Sequence, residues 1–225
     1  MKHLLLAGAV AALTACNAAP PPAEQTEAAA AHSDMETLPR EKRVAFMSGH
    51  VMAGLALYRA GAPEEAAPHL LHPVSETHAA ERAGLDELGF DPAIFEAVST
   101  ALAAGRPANE VERLLNGAQA NLARMQNQAG GDPMEIISYL MDVLEEEYAI
   151  GVTDGVITDP GEYQDAFGFT QVALRLARRA ENEPLAAELE ALQAMWPESG
   201  PLAASTPTPV ADVNAQIARV RAQIG

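Results

Sequence analysis

The sequence predicts an all-α helical bundle of about six or seven helices, and three observations predict it. Apolar residues recur at three- and four-residue spacing through almost every segment after residue 37. No set of alternating strands competes with that pattern. Helix-start signals also recur, as Asp91-Pro92, Asp132-Pro133 and Asp159-Pro160. In each, the aspartate can accept hydrogen bonds from exposed first-turn amides, and proline at the first helical position loses no needed donor.

Taken in order, the first helix runs from about Leu38 to Ala60, with Val44, Met47, Val51, Leu55 and Tyr58 on one stripe. Gly49 and Gly54 would let a neighbouring helix approach closely. A short second helix starts at Pro63, with Glu64 and Glu65 in the first turn, where the helix dipole favours them. The helix opened by Asp91 carries Ile94, Val98, Ala101 and Leu102, and a longer one spans 107–129 to the stop at Gly130-Gly131. Asp132 opens a helix with Ile136, Ile137, Leu140, Met141 and Leu144. Asp159 opens another with Tyr163, Phe167, Leu174 and Ala177. Glu135 and Glu162 stand three residues after their caps, as a capping box requires. A further helix covers Pro184 to Met195. Residues 197–209 are rich in Pro, Ser and Thr and read as a linker. In 210–225, Val210, Val213, Ile217, Val220 and Ile224 form a C-terminal amphipathic helix that docks on the bundle or self-associates.

The N-terminus reads differently. Lys2 precedes an apolar run, Leu4 to Ala12. That run is shorter than the roughly 20 residues a bilayer span needs, and it has the length of a signal-peptide core. Leu13-Thr14-Ala15-Cys16 follows and resembles the bacterial lipobox. The resemblance implies a signal peptide at 1–15, cleavage before Cys16, and several acyl chains on that cysteine, enough for a firm membrane anchor. Asn17 stands where inner-membrane members of that group carry aspartate, which points to the periplasmic face of the outer membrane. Residues 16–36, with Pro20-Pro21-Pro22 and an alanine run, form a flexible tether. The bundle domain then occupies 37–196.

Charge narrows the function. Against 31 acidic residues stand 14 basic ones, for a net charge of -17. Such a chain repels phosphate backbones, so nucleic acid is excluded as a partner. Nucleophilic catalysis finds no support either. G-x-S-x-G, S-x-x-K and a glycine-rich phosphate loop are all missing, and the lone cysteine belongs to the lipid signal. The reading is therefore non-enzymatic.

The histidines are unevenly placed. His50, His69, His72 and His78 fall in one stretch, with Glu76 among them. Imidazole and carboxylate are common ligands of iron, copper and zinc. His69 and His72 are three apart, and a hairpin of the first two helices would bring His50 towards them. Pro73 disfavours helical backbone at His72. Structural roles for these histidines, as helix caps or carbonyl partners, stay open at this stage. Glu145-Glu146-Glu147 reads as a solvated face, and Asp154-Gly155 as a tight turn without EF-hand spacing.

Two further resemblances bear on organisation. Gly54 to Leu70 resembles one tetratricopeptide hairpin. Leu57 replaces the usual tyrosine, Pro68 interrupts the second helix, and no second copy follows. Residues 132–179 resemble the periplasmic helical extension of bacterial high-affinity iron permeases, through Asp132-Pro133, Leu140, Glu147-Tyr148, Val152, Asp154-Gly155-Val156-Ile157, Glu162-Tyr163 and Phe169. That resemblance implies a helical bundle working near metal uptake and assigns no ligands. The expected function is a periplasm-facing lipoprotein that binds or hands over a transition metal through His50, His69, His72, Glu76 and His78, with a metal transporter or another envelope protein as partner. The alternative is an interaction scaffold of the envelope built on the hairpin and the terminal helix.

Overall fold

The structure is a computed structural model that describes residues 37–75 and 79–225. The signal segment, Cys16, the tether, Glu76 and His78 lie outside the described residues. Eight helices of nine residues or more are present among those described. They are α1 (Arg40–Arg59), α2 (Pro63–Leu71), α3 (Pro92–Ala103), α4 (Ala108–Ala129), α5 (Pro133–Gly151), α6 (Pro160–Arg179), α7 (Glu183–Gln193) and α8 (Val210–Ala222). The three Asp-Pro starts cap as expected. Asp91 accepts from Ala93 N–H, Asp132 from Met134 N–H, and Asp159 from Gly161 and Glu162 N–H.

The all-α reading holds, with one small addition. Val152–Thr153 and Val156–Ile157 pair as a minimal antiparallel hairpin between α5 and α6. Its turn puts Asp154 at φ 52° and Gly155 at φ 76°. Two consecutive positive φ values are what a two-residue hairpin of this hand requires, and Asp-Gly supplies them with least strain. The hairpin returns the chain so that α5 and α6 pack side by side.

Two apolar cores meet at α1. One is built by α5, α6, α7 and α8 with Trp196, and it takes Ala45 and Phe46 from α1. The other joins Val44, Met47, Val51 and Leu55 of α1 to α2, α3 and α4. Every residue of α1 from Arg43 to Val51 is buried, as expected of a helix with packed neighbours on all sides. Gly49 and Gly168 mark the crossing of α1 and α6. A Cβ on Gly168 would fall on the Gly49 carbonyl, and one on Gly49 would fall on the Phe169 ring. Gly54 likewise admits Leu70 and the Ala66 carbonyl of α2, which makes α1 and α2 the expected hairpin.

Several local expectations are corrected. Pro68 does not interrupt α2, which runs through it to Leu71. In a nine-residue helix the missing Pro68 donor costs only one bond close to the already unpaired first turn. His72 adopts helical backbone (φ -45°, ψ -49°) despite Pro73, and the chain tightens into a 3-10 turn over His72–Val74. Glu162 is not needed for a capping box, because the Asp159 N–H donates to Gly151 O at 3.2 Å. The Glu145–Glu147 triplet is not simply a solvated face. Glu147 is buried, and Glu145 pairs with Arg221 of α8 at 2.6 Å.

The C-terminal helix docks. Val213, Ile217 and Val220 are fully buried in the core shared with α5 and α7. The segment before it is tied down as well. Tyr148 Oη donates to Thr208 O at 2.8 Å, and Thr208 Oγ1 donates to Met195 O at 2.6 Å. Burying three such side chains contributes several kcal/mol. Truncation after Pro209 is therefore expected to lower unfolding free energy by roughly 5 kcal/mol, measured by denaturant melts that follow Trp196 fluorescence.

Candidate metal centre

His50, His69 and Asp165 come from three helices and meet in one buried pocket. On α1, His50 sits one turn after Phe46, whose ring edge packs on it at 4.6 Å between centroids. On α2, the buried face Ala66, His69 and Leu70 turns His69 inward. On α6, burial is continuous from Tyr163 to Thr170, so Gln164 and Asp165 are largely shielded from solvent. Both His50 Nδ1 and His69 Nδ1 lie 2.8 Å from the same atom, Asp165 Oδ1. Side-chain exposure is 6% for each histidine and 12% for the aspartate. Phe169 closes the apolar wall, 5.5 Å edge-on from His50 and stacked on Phe46 at 5.3 Å.

The hydrogen-bond chain around His69 sets its protonation. Gln164 Nε2 donates to Glu65 Oε2 at 2.6 Å. A carboxylate can only accept, so the Gln164 carbonyl oxygen must be the atom facing His69 Nε2, 2.8 Å away. Nε2 therefore carries a proton, and Nδ1 faces an anion. Burial, the largest single effect, pushes the His69 pKa down. The Asp165 charge, hydrogen bonds to Asp165 and Gln164, and the Glu162 charge together outweigh it, and the net shift is upward. Burial also opposes ionisation of Asp165, but the two histidines overcome it and hold this carboxyl well below its usual range. Hydrogen bonds of 2.8 Å to Asp165 and to Gln164 clamp the ring, and the raised pKa favours its protonated form.

His50 is placed differently. Its Nδ1 pairs with Asp165 at 2.8 Å, and its Nε2 is buried without a hydrogen-bond partner among the described residues. A buried polar nitrogen beside a carboxylate calls for a further partner. The donor atoms of His50, His69 and Asp165 all lie within 4.8 Å of one another. Ligands of a tetrahedral ion at about 2.1 Å stand about 3.4 Å apart. The two 2.8 Å contacts therefore open by several tenths of an ångström to admit one, and His69 Nδ1 gives up its proton. With those two changes the residues fit a metal ion.

His72 joins the cluster without converging on it. Its ring stacks on His50 at 3.6 Å between centroids and 13° from parallel. Lone pairs lie in the ring planes, so two stacked imidazoles cannot both point at one ion. His72 instead buttresses His50. Burial, reinforced by the charges of Asp165, Asp159 and Glu146 and opposed by His50, pushes the nearby Glu162 carboxyl up to about 7. Sequence reasoning found His50 and His69 and missed Asp165, Gln164 and Glu65. The available signal was a polar pair, Gln164-Asp165, inside the apolar run from Tyr163 to Phe169.

Residues 123–225 match the family model of the iron permease-associated 4-helix bundle domain. The match takes in the end of α4 and all of α5–α8, and it contains the segment 132–179 singled out from sequence. Asp165 and Gln164 lie within it, whereas His50, His69 and His72 lie before it. No curated protein and no solved structure matches the chain significantly.

Proposed function

We propose that this protein is a non-enzymatic, periplasm-facing lipoprotein that carries one transition-metal ion, iron, copper or zinc, for the metal-uptake machinery of the cell envelope. The observation that carries this reading is the convergence of His50, His69 and Asp165 donor atoms in a buried pocket. The match of residues 123–225 to an iron permease-associated domain supports a setting beside a metal transporter. Two imidazoles and a carboxylate, with no sulfur among them, suit Fe2+, Zn2+ or Cu2+ and disfavour Cu+. The metal here is cargo, and the protein supplies ligands, a dry wall of Phe46 and Phe169, and a proton to exchange. The scaffold alternative used the α1–α2 hairpin and the terminal helix, and of these α8 has its apolar stripe buried.

The test is calorimetric titration with Fe2+, Zn2+ and Cu2+, with elemental analysis, on the full-length protein. One ion per chain is expected, with affinity reduced at least about a hundredfold in His69→Ala, since even outer-shell partners account for 10–100-fold. Helical content should be retained. Because the ion displaces the His69 proton, affinity should rise with pH and binding should release a proton to buffer. Unchanged affinity in both His50→Ala and His69→Ala would reject the site. Anchoring is separable from binding: Cys16→Ser should leave the protein out of the membrane fraction with metal binding intact.

A further inference from the structure

The helix that carries Asp165 ends in a cluster of positive charge. Arg175, Arg178 and Arg179, three of only 14 basic residues, fall within the last turns of α6. With Gln171 they line a cleft of about 280 Å3. The helix dipole accounts for cations in the final turn. Arg178 also meets Glu190 at 2.8 Å, and Arg179 Nη2 donates to Asn127 Oδ1.

Arg175 has no such account. It is half-buried, and its Nη2 points at the thioether of Met52, 2.8 Å away, a weak acceptor. Burial first, and then the charge of Arg179, lowers its pKa. A guanidinium held beside a second cation, with sulfur as its partner, is costly unless an anion completes the site. A second observation points the same way. Arg179 also borders an adjoining cleft of about 200 Å3 lined by Gln126 and Asn127. The Gln126 amide has both its nitrogen and its oxygen buried without a hydrogen-bond partner. An unmet amide of α4 therefore borders the second cleft together with Arg179. On a chain of net charge -17, this is a local inversion of the field.

We propose that the cleft binds a small solute bearing carboxylate or phosphate groups, anchored by Arg175 and held by Arg178 and Arg179. The guanidinium fork matches the geometry of two oxygens on such groups. The site is separate from the metal centre and does not depend on it. Metal-free full-length protein is titrated at low salt with inorganic phosphate and, separately, with citrate. Saturable binding of at least one probe is expected, weakened about tenfold or more in Arg175→Gln and unchanged in His69→Ala. Circular dichroism reports whether Arg175→Gln folds, and Arg179→Gln serves in its place if it does not. Saturable binding of neither probe, or equal binding in the folded variants, overturns the proposal. So does capture by phosphatidylglycerol vesicles without binding of either free anion, which would assign the arginines to lipid headgroups.

Discussion

Asp165→Asn is expected to abolish stoichiometric metal binding while leaving the helices in place. The change keeps the side-chain volume and removes only the charge, and a single oxygen of this carboxylate faces both imidazoles. Affinity should fall by more than the 10–100-fold typical of outer-shell partners. The metal-free protein reports the same residue independently. The folded pKa of Asp165 is lowered, so its contribution is complete above the unfolded value of about 3.9 and is lost as pH falls. The folded pKa of His69 is raised, so its contribution is complete below about 6.5 and is lost as pH rises through the folded value. Wild-type stability should therefore carry a component that is fullest between those limits. Asp165→Asn should flatten the profile and drop the His69 pKa, which NMR titration of the ring protons measures. An unchanged pH profile and unchanged metal affinity would show that this carboxylate does not hold the cluster together.

Gly168→Ala is expected to be among the most damaging single-methyl changes. The added Cβ meets the backbone carbonyl of Gly49 and the Ala53 nitrogen, neither of which can rotate away. Relief requires α1 and α6 to separate. Forced overpacking of this kind costs roughly 1–3 kcal/mol and more when backbone must move. The movement would also draw His50 from Asp165, so metal affinity should fall with stability. Gly117→Ala is the control. Its Cβ would have Ile94 at 3.9 Å as its nearest neighbour, and helix propensity favours alanine by about 1 kcal/mol. Opposite signs at two helical glycines, read from urea midpoints, would establish the α1–α6 crossing as the tight point of the fold. Equal effects would refute it.

The helices were legible because local chemistry declared them. Asp-Pro starts, glycine stops and apolar periodicity depend on neighbours within a turn or two, and α4, α5 and α6 fall close to where those signals place them. The site was legible only on one side. His50 and His69 stand out because histidine is rare and clustered in the first half of the chain. Asp165 lies 96 residues from His69, and nothing in its immediate neighbours says that α6 is turned towards α2. Glu162 was drawn to a capping role by its spacing, a role that the Gly151 carbonyl removes by taking the Asp159 N–H. His72 shows the converse. Spacing puts it near His69, but ring orientation depends on stacking against His50, which no sequence interval encodes.

The seam along α1 nearly coincides with the edge of the family-matching segment. The segment matching the permease-associated domain brings the carboxylate, and the preceding helices bring the nitrogens. A chain carrying only the four-helix portion would retain Asp165 and Gln164 without either imidazole, and would expose the groove that Gly168 keeps open for α1. In this protein, then, the two imidazoles and the carboxylate meet only at the junction between the family-matching segment and the helices before it.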